Sequence, residues 1–562
     1  MARPSDFPPP FDAREFVAEP SDPVEDRIEV GVLVVGAGPA GLACAIRFGQ
    51  LLEEDPETAA LLGDVPLAVL EKGKQPGSHL LSGAVVNPRS LRALVGDAAL
   101  EKMPSYGPVP GESVYVLTSR RAMPIPRPPT MRNHGNVIVS LSHLGRWLAE
   151  RAEEVGAMIL PETAAQTLLV SGGEVVGVRT GDKGRGTADE ELGTFEPGSD
   201  IVAKVTVFAE GTQGHLTGVA IDSFDLRGDE PQVWELGVKE VWKVAQPLDR
   251  IIHTMGWPLR PQAKYREFGG SFIYPMGDNM LTIGMVVGLD YRDVALSPHD
   301  LLQELKPHPK IRPLLVGGER IEWGAKTIPG GGFHALPKRF HAPGLLLCGD
   351  GVGMVNIPTL KGVHYAIESG RLAAEAAFAS LKSAAPSRTA LASYDDAIRS
   401  SFIWQDLHEV RDMRHVFGRG LVVGAACAGA MSITKGRINI GKLRTQPDDT
   451  QPLLRTDRAD DYPAHDGNLT FDRLSSVFAA GNKTRDDQPN HIRVQQRVPA
   501  DVADLWANMC PAQVYSVGDA GDDGLVAVHL EPSNCVQCGA ISAKGGRLTP
   551  PEGGSGPEYV ES

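Results

Sequence analysis

The sequence predicts an α/β protein built on a parallel sheet, and three widely separated segments support this prediction. The first, VGVLVVGAGPAGLACAI at 30–46, joins a valine-rich run to an alanine-rich helix pattern through a glycine turn. The other two are apolar runs that end in turns, VTVFAEGTQGHL at 205–216 and GLLLCGDGVG at 344–353. Buried parallel strands form such continuous apolar runs rather than alternating patterns. We therefore expect distant parts of the chain to assemble one sheet.

The glycine spacing in the first segment predicts a dinucleotide site. Gly36 permits the tight turn, Gly38 lets the backbone approach a pyrophosphate, and Gly41 lets helix and strand pack closely. A second strand, VPLAVLEKG, ends in Glu71, from which an acid can bond an adenosine ribose. The polar stretch at 53–64 reads as an insertion, which explains the long gap between the glycines and Glu71.

The segment at 344–353 distinguishes flavin from nicotinamide binding. Its strand ends in Gly349 and Asp350, and a helix pattern begins at Lys361. Flavoproteins of the glutathione-reductase type place such an aspartate against the ribityl chain of FAD, with the following helix directed at the flavin. The sequence thus offers contacts to both ends of an FAD molecule, and we expect a glutathione-reductase-type FAD-binding fold.

Composition excludes several other classes of protein. The chain has 562 residues, 42% of them hydrophobic, and its net charge of -15 argues against nucleic acid as a partner. Six cysteines are too few for a disulfide scaffold. The proline-rich N-terminus reads as an extended arm without a targeting signal. The longest apolar run, 421–433, is 13 residues and too short to span a membrane, although attachment to a membrane surface stays open.

Cysteines concentrate near the C-terminus, where NCVQCGAIS at 534–542 follows a more distant Cys510. Taken alone, this pattern is compatible with an iron-sulfur site, a zinc site short of one ligand, or a redox dithiol. Cys44 and Cys348 lie in apolar patterns and are expected to be structural.

Collinear segments over nearly the whole chain resemble the electron transfer flavoprotein:ubiquinone oxidoreductase family. They include VVGAGPAGL, LSGAVV, NHGNVIV, GGSFIYP, HPKIRPLLVGGERI, KGVHYAIESG, CPAQVY, NCVQC and PEGGSGP. The resemblance places a quinone against the backbone of Gly269 and Gly270. It also implies a set of FAD-binding residues: Gly36, Gly38, Gly41, Glu71, Ser82, Gly83, Gly349 and Asp350.

The family binds a [4Fe-4S] cluster through four cysteines, and this chain departs from that set. Cys510, Cys535 and Cys538 match three of the ligands, but the fourth position holds Ile541, which cannot donate an electron pair to iron. Three alternatives stay open: a [3Fe-4S] cluster, a [4Fe-4S] cluster completed by Ser542, water or another residue, and an empty site. We favour a cluster, with [3Fe-4S] first among its forms.

The resemblance implies that electrons pass from reduced electron transfer flavoprotein to a membrane quinone, either ubiquinone or menaquinone. It further implies a cytoplasmic monomer attached peripherally to the inner face of the cell membrane. Where the family carries bulky residues, 421–433 offers Ala, Gly, Cys and Ser, which indicates a membrane attachment that is weaker or differently arranged. His334 and His364 are candidate proton relays to the quinone.

Two other functions compete with this one. The first is a recruited soluble FAD oxidoreductase that acts on a hydrophobic metabolite and carries an altered [3Fe-4S] cluster or none. The second, an aromatic hydroxylase, fits less well because AEGTQGHL lacks the DGxxS pattern usual in such enzymes.

The same reasoning predicts six regions. They are an N-terminal arm (1–29), two parts of a FAD-binding domain (30–235 and 325–385), an inserted β-rich quinone-side domain (236–324), a helical membrane-surface segment (386–440) and a C-terminal ferredoxin-like iron-sulfur module (441–562).

Overall fold

The computed structural model describes residues 2–22, 27–81, 85–382, 391–417, 421–437 and 444–562. Ser82 and Gly83, two of the predicted FAD contacts, lie outside the described residues.

The α-helices of the described residues are α1 (Pro39–Glu54), α2 (Pro56–Ala60), α3 (Arg89–Leu100), α4 (Leu141–Glu154), α5 (His215–Ser223), α6 (Gln262–Tyr265), α7 (Pro298–Leu305), α8 (Arg312–Leu315), α9 (Val363–Leu381), α10 (Ser393–Ser400), α11 (Phe402–Glu409), α12 (Met413–Val416), α13 (Leu421–Ile433), α14 (Arg473–Ala479) and α15 (Ala500–Met509).

The strands are β1 (Val17–Ala18), β2 (Arg27–Val35), β3 (Leu67–Leu70), β4 (Val85–Val86), β5 (Glu112–Leu117), β6 (Ala122–Ile125), β7 (Val137–Ile138), β8 (Met158–Leu160), β9 (Ala165–Ser171), β10 (Glu174–Thr180), β11 (Lys183–Arg185), β12 (Glu191–Glu196), β13 (Asp200–Phe208), β14 (Trp234–Lys243), β15 (Ile251–Gly256), β16 (Gly269–Pro275), β17 (Met280–Gly288), β18 (Glu319–Pro329), β19 (His341–Ala342), β20 (Leu345–Leu347), β21 (Ile492–Arg493), β22 (Arg497–Val498), β23 (Tyr515–Ala520), β24 (Val526–Leu530) and β25 (Arg547–Leu548).

The first sheet joins the three apolar runs that the sequence singled out. Its order is β1-β9-β10-β13-β2-β3-β8, with β20 also paired to β13. The centre is parallel, since β2 pairs with β13 and β3, and β20 pairs with β13. Helices α1 and α9 pack against each other so closely that a Cβ on Gly370 would lie 1.9 Å from the Ala40 carbonyl oxygen. This contact brings the two predicted FAD segments side by side.

The second sheet is largely antiparallel and faces the first. Its order is β18-β14-β17-β16-β15-β5-β6, and only the β15–β5 pairing among the described strands of this path is parallel. Strands β5 and β6 lie within 30–235, so this range contributes to both sheets. The long strands β14, β17 and β18 form the centre of its hydrophobic core.

The C-terminal part combines α14 and α15 with a small sheet of order β22-β24-β23. Trp506 on α15 is fully buried, and its indole N–H donates to the Lys544 carbonyl oxygen at 2.7 Å. The chain end is also fixed, because the Ser142 N–H donates to the carbonyl oxygen of Ser562 at 2.7 Å. The cysteine segment is therefore held against the two sheets.

The apolar run at 421–433 forms helix α13, which follows the short helices α10 to α12. Within the part of the chain that the structure describes, no helix has the length and apolar content needed to cross a bilayer.

Candidate functional site

A long cavity separates the first sheet from the second, and its walls bring together residues from across the chain. Four of the predicted FAD contacts line it: Gly36, Gly38, Glu71 and Asp350. The second sheet and the segment around 537–550 form the opposite wall.

The glycine turn takes the conformation that its spacing predicts. Gly36 has a φ of 105°, a left-handed conformation that favours glycine, and Gly38 is the N-cap of α1. The free N–H groups of this helix end and its dipole suit a phosphate. Gly41 lies behind the cavity wall, where a Cβ would stand 1.9 Å from the Gly36 carbonyl oxygen. Its role is thus the close packing of helix and turn.

Glu71 lies beside this turn and is held by backbone groups. Its carboxylate accepts hydrogen bonds from the N–H of Gly73 at 2.7 Å and of Ala37 at 3.2 Å. Burial raises the pKa of Glu71, while these two bonds and the nearby Lys72 act in the opposite direction. A fixed acceptor at this position is what a ribose hydroxyl requires.

Asp350 is half-buried in the short 3-10 turn that follows β20, close to the start of α9. Burial raises its pKa to about 6, and among the described residues no side chain pairs with its carboxylate. Gly349 does not line the cavity; its N–H donates to Ser369 Oγ on α9 at 3.0 Å and holds the turn against that helix. The Asp350 carboxylate is left facing the cavity, as a partner for hydroxyl groups of a ligand.

The second sheet provides the opposite wall through side chains on one of its faces. Phe272 and Tyr274 come from β16, Val286 from β17, and Glu235 from β14. Gly269 and Gly270 begin β16 beside this wall, and neither is among the residues that line the main cavity. In the strand register Gly270 lies opposite Val286, so the predicted quinone pair adjoins the cavity edge.

The three predicted metal ligands converge on a second, small cavity. Cys510 is the C-cap of α15, Cys535 follows a short 3-10 turn, and Cys538 precedes Gly539. All three line this cavity together with Ile541. The N–H of Val514 donates to Cys510 Sγ at 3.4 Å. The N–H of Gln537, two residues after Cys535 in the same loop, donates to Cys535 Sγ at 3.4 Å.

The cysteine site fits a cluster better than a single ion. The three Sγ atoms do not all lie within 4.8 Å of one another. A tetrahedral zinc ion with Zn–S bonds of about 2.3 Å needs sulfurs only about 3.8 Å apart. Burial raises the pKa of Cys535 and Cys538 to about 12, so thiolates here require a compensating metal charge.

The fourth corner of the site is apolar. Ile541 is 3% exposed and points no donor atom at the cavity. Ser542, the predicted substitute ligand, lines the large cavity instead, and its Oγ accepts a hydrogen bond from the Leu548 N–H at 3.3 Å. The remaining lining of the cysteine cavity is Met509, Ala512, Val514, Tyr515, Val536, Gly539, Ala540 and Leu548.

The two cavities share a wall. Gly539 and Leu548 line both of them. The Thr327 N–H on β18 donates to the Cys538 carbonyl oxygen at 2.8 Å. Gln213 Nε2 donates to the Gly539 carbonyl oxygen at 3.0 Å. A cluster on the cysteines would therefore lie directly against the large cavity.

Sequence reasoning missed several polar residues of the large cavity. Lys326 Nζ donates to the Gln537 carbonyl oxygen at 3.0 Å, and Lys72 Nζ donates to Gln537 Oε1 at 2.7 Å. Burial lowers the pKa of Lys326 to about 8. Its position between apolar residues of a strand, GAKTI, was the available signal.

The two candidate proton relays do not line the large cavity. His334 Nε2 lies 3.0 Å from Asp412 Oδ1, and the ring of His364 stacks on Phe402 with centroids 6.0 Å apart. Burial lowers the pKa of His364 to about 3.

Comparisons with known proteins agree with this geometry. The family model described as "ETF-QO, ubiquinone-binding" matches residues 234–328, and "Electron transfer flavoprotein-ubiquinone oxidoreductase, 4Fe-4S" matches 467–560. The chain is similar to electron transfer flavoprotein-ubiquinone oxidoreductases of two organisms. The Arabidopsis thaliana protein is 36% identical over 96% of this chain and 85% of its own length. The Pseudomonas aeruginosa protein is 36% identical over 95% of this chain and 99% of its own length.

Solved structures of similar fold are more distant in sequence. A geranylgeranyl bacteriochlorophyll reductase-like protein from Thermoplasma acidophilum matches with a TM-score of 0.54 and 18% identity, over 73% of this chain and 97% of its own. The flavin-dependent brominase Bmp2 matches with a TM-score of 0.51 and 16% identity, over 73% of this chain and 94% of its own. These likenesses concern the fold, and with the C-terminal family model they confirm the predicted fold class. The resemblance found in the sequence is confirmed as well: the chain belongs to the electron transfer flavoprotein-ubiquinone oxidoreductase family.

Proposed function

We propose that this protein takes electrons from reduced electron transfer flavoprotein and delivers them to a membrane quinone. FAD would occupy the large cavity, and an iron-sulfur cluster would be held by Cys510, Cys535 and Cys538. The observation that carries this proposal is the wall that the two cavities share at Gly539 and Leu548. Two redox centres placed there can exchange electrons within one chain.

The residues of the large cavity fit FAD. The glycine turn at Gly36 and Gly38 offers backbone N–H groups to a pyrophosphate, while Glu71 and Asp350 offer carboxylates to hydroxyl groups. When bound, FAD supplies the ability to accept electrons singly and to pass on a pair. The protein contributes position, burial and charge, including the buried Lys326 that lines the same cavity.

The cysteine site fits a cluster with one uncoordinated corner. Two buried thiols and the half-buried thiol of Cys538 surround the small cavity, and Ile541 closes the fourth side with an apolar side chain. A [3Fe-4S] cluster needs no ligand at its missing corner, so this form suits the residues present. The N–H groups that donate to Cys510 and Cys535 would stabilise the reduced cluster, because they compensate its added negative charge.

The quinone would enter beside Gly269 and Gly270, at the edge of the large cavity. Membrane contact is assigned to α13, where the side chain of Ile433 is 81% exposed and that of Val423 is 49% exposed. Such exposed apolar groups favour peripheral attachment to a bilayer surface. We place this attachment at the cytoplasmic face of the cell membrane.

The direct test is anaerobic turnover of the purified holoprotein. Reduced electron transfer flavoprotein and a short-chain ubiquinone or menaquinone analogue are mixed with it, and quinol formation is recorded. We expect quinol to form only with the donor, the acceptor and this protein all present. If the bound flavin is reduced but neither quinone turns over, the recruited soluble oxidoreductase becomes the better account.

A further inference from the structure

A cluster of buried charges lies behind the quinone end of the large cavity. Glu235 on β14 lines the cavity, and Arg414 on α12 lies behind it, with Nε 3.4 Å from Glu235 Oε1. Arg414 Nη2 lies 3.5 Å from Asp290 Oδ1. Asp448 completes the group, and its Oδ2 accepts the Trp234 N–H at 2.8 Å. We call these four side chains the Glu235 cluster.

The Glu235 cluster adjoins the glycine pair predicted to hold the quinone. In the register of the second sheet Glu235 lies opposite Gly288 of β17. The Gly288 N–H donates to the carbonyl oxygen of Phe268 at 2.8 Å, and Phe268 directly precedes Gly269. One residue of β17 therefore separates Glu235 from the chain that leads into the glycine pair.

Hydrogen bonding within this cluster is incomplete. Within the part of the chain that the structure describes, five of its buried atoms have no partner at hydrogen-bond geometry: Glu235 Oε1, Asp290 Oδ1, Asp448 Oδ1, Arg414 Nε and Arg414 Nη2. Four of the five face each other across the Arg414 contacts of 3.4 and 3.5 Å, which leave no room for a water molecule between them. Buried polar atoms are nearly always satisfied, so the remaining one, Asp448 Oδ1, is the atom at which an ordered water molecule is expected. A water molecule at Asp448, together with the carboxylate of Asp290, would give protons a path through the cluster.

The same cluster reaches the protein surface. Asp290 Oδ2 accepts a hydrogen bond from Arg266 Nη2 at 3.1 Å, and the Arg266 side chain is 39% exposed. Arg266 lines an open cleft that also includes Thr450 and Gln451, which follow Asp448 closely in the chain. A continuous series of charged side chains thus connects the cleft to Glu235.

On the basis of the proposed function, we propose that Glu235 donates protons to the quinone and regains them from solvent through Asp290 and Asp448. Reduction of a quinone to a quinol consumes two electrons, which the proposed function supplies, and two protons. The Glu235 carboxylic acid gives one proton to a quinone carbonyl oxygen and becomes a carboxylate. A proton that returns through Asp290 and Asp448 restores the acid. The second oxygen lies on the opposite side of a para-quinone ring, out of reach of the same carboxyl, and takes its proton from solvent. Arg414 is a positioning residue, since it sets the charge balance without touching the quinone.

The electrostatics of the site agree with this role. Burial and the neighbouring Asp290 raise the pKa of Glu235, while Arg414 lowers it, and the net direction is upward. Burial also raises the pKa of Asp448 well above its usual value, against the effect of Arg414 and Lys544. A carboxyl with a raised pKa keeps its proton closer to neutral pH, as a general acid must.

The test compares E235Q with wild-type holoprotein over a range of pH. A matched control, E319Q, alters an exposed glutamate at the far end of β18 in the same sheet. Three rates are measured: flavin reduction by reduced electron transfer flavoprotein, turnover with a one-electron acceptor that takes up no proton, and quinol formation. We expect E235Q to keep the first two rates and to lose about ten-fold or more in the third. E319Q should match the wild type in all three.

The pH profile separates a proton donor from a merely structural residue. Wild-type quinol formation should fall as pH rises through the raised pKa of Glu235, and the E235Q profile should be flat. E235D, which keeps a carboxyl, should recover part of the rate and its pH dependence, while D448N should slow quinol formation less than E235Q does. Bound flavin and the thermal midpoint are checked in each variant.

The outcomes distinguish this inference from the proposed function. Wild-type protein that forms no quinol overturns both. Wild-type protein that forms quinol, together with E235Q that forms it equally fast at every pH, overturns the role of Glu235 alone. If E235Q does not fold, equal rates and pH profiles in the folded D448N variant and the wild type would overturn the proposed path.

Discussion

The two cavities of this protein differ in what they can exchange with solvent. The large cavity is lined by carboxylates and lysines, and its quinone end connects through the Glu235 cluster to an open cleft. The cysteine cavity is small, and besides its three thiols its lining is dominated by apolar side chains. Reduction at the first can be coupled to proton uptake, whereas the second is suited to moving electrons alone. The difference lies in the side chains around each centre.

Loss of a cysteine ligand should have the largest effect on this contrast. C535S removes one of three thiolates, and the two that stay cannot retain a cluster, so iron and acid-labile sulfide should fall to background. FAD content should persist, because the glycine turn and Asp350 lie in the other cavity. The control is C427S, which changes a half-buried cysteine on α13. Full iron content in C535S would contradict the assigned ligands.

Completing the ligand set should convert the [3Fe-4S] cluster to a [4Fe-4S] cluster. I541C places a fourth thiol at the apolar corner, and iron should rise from about three to about four atoms per chain. The electron paramagnetic resonance signal of the oxidised protein should disappear, because an oxidised [4Fe-4S]²⁺ cluster is diamagnetic. I541V keeps the corner apolar and should behave as wild type. Identical spectra for I541C and wild type would show that Ile541 does not face the cluster.

A smaller effect is expected at the quinone edge. A Cβ on Gly270 would lie 2.4 Å from the Thr254 carbonyl oxygen, so G270A must displace β15. We expect a loss of about 1–3 kcal/mol in the free energy of unfolding and slower quinol formation. G193A is the control, since a Cβ there meets nothing within 4 Å. Equal thermal midpoints and equal quinol rates in both variants would show that no steric constraint acts at Gly270.

The smallest expected effect is a pH dependence of the free energy of unfolding that arises from Asp350 in the large cavity. Burial raises the pKa of Asp350 from 3.8 to about 6, so between these values the folded flavin-free protein holds a proton that the unfolded chain has lost. The Asp350 contribution to the free energy of unfolding should therefore decrease as pH rises from about 4 to about 6. D350N should remove this contribution. Denaturant midpoints of both proteins at several pH values measure it, and parallel curves would contradict the shift.

The parts that sequence predicted well are those whose chemistry is local in the chain. The turn at Gly36 and Gly38 sits in one strand-turn-helix unit, and neighbouring residues dictate its conformation. Cys535 and Cys538 also lie on one short loop, as their spacing indicates, and their role as metal ligands stays a prediction. The fold class followed because buried parallel strands are continuous apolar runs.

The parts that sequence missed depend on contacts between distant segments. Glu235 and Arg414 are 179 positions apart, and only the register of the second sheet and the place of α12 bring them together. Ser542 follows Ile541 directly but turns into the other cavity, which spacing alone did not reveal. His334 and His364 were singled out by type, and neither lines the large cavity.

We propose that one chain holds a flavin and, beside it, a three-cysteine cluster with an apolar fourth corner. Electron paramagnetic resonance of anaerobically purified protein, before and after dithionite and with iron and sulfide quantified, tests it most directly. We predict a near-isotropic signal close to the free-electron g value in the oxidised protein, which fades on mild reduction. A silent oxidised state with a rhombic signal after reduction would contradict the open corner, and the absence of stoichiometric iron would contradict the cluster itself.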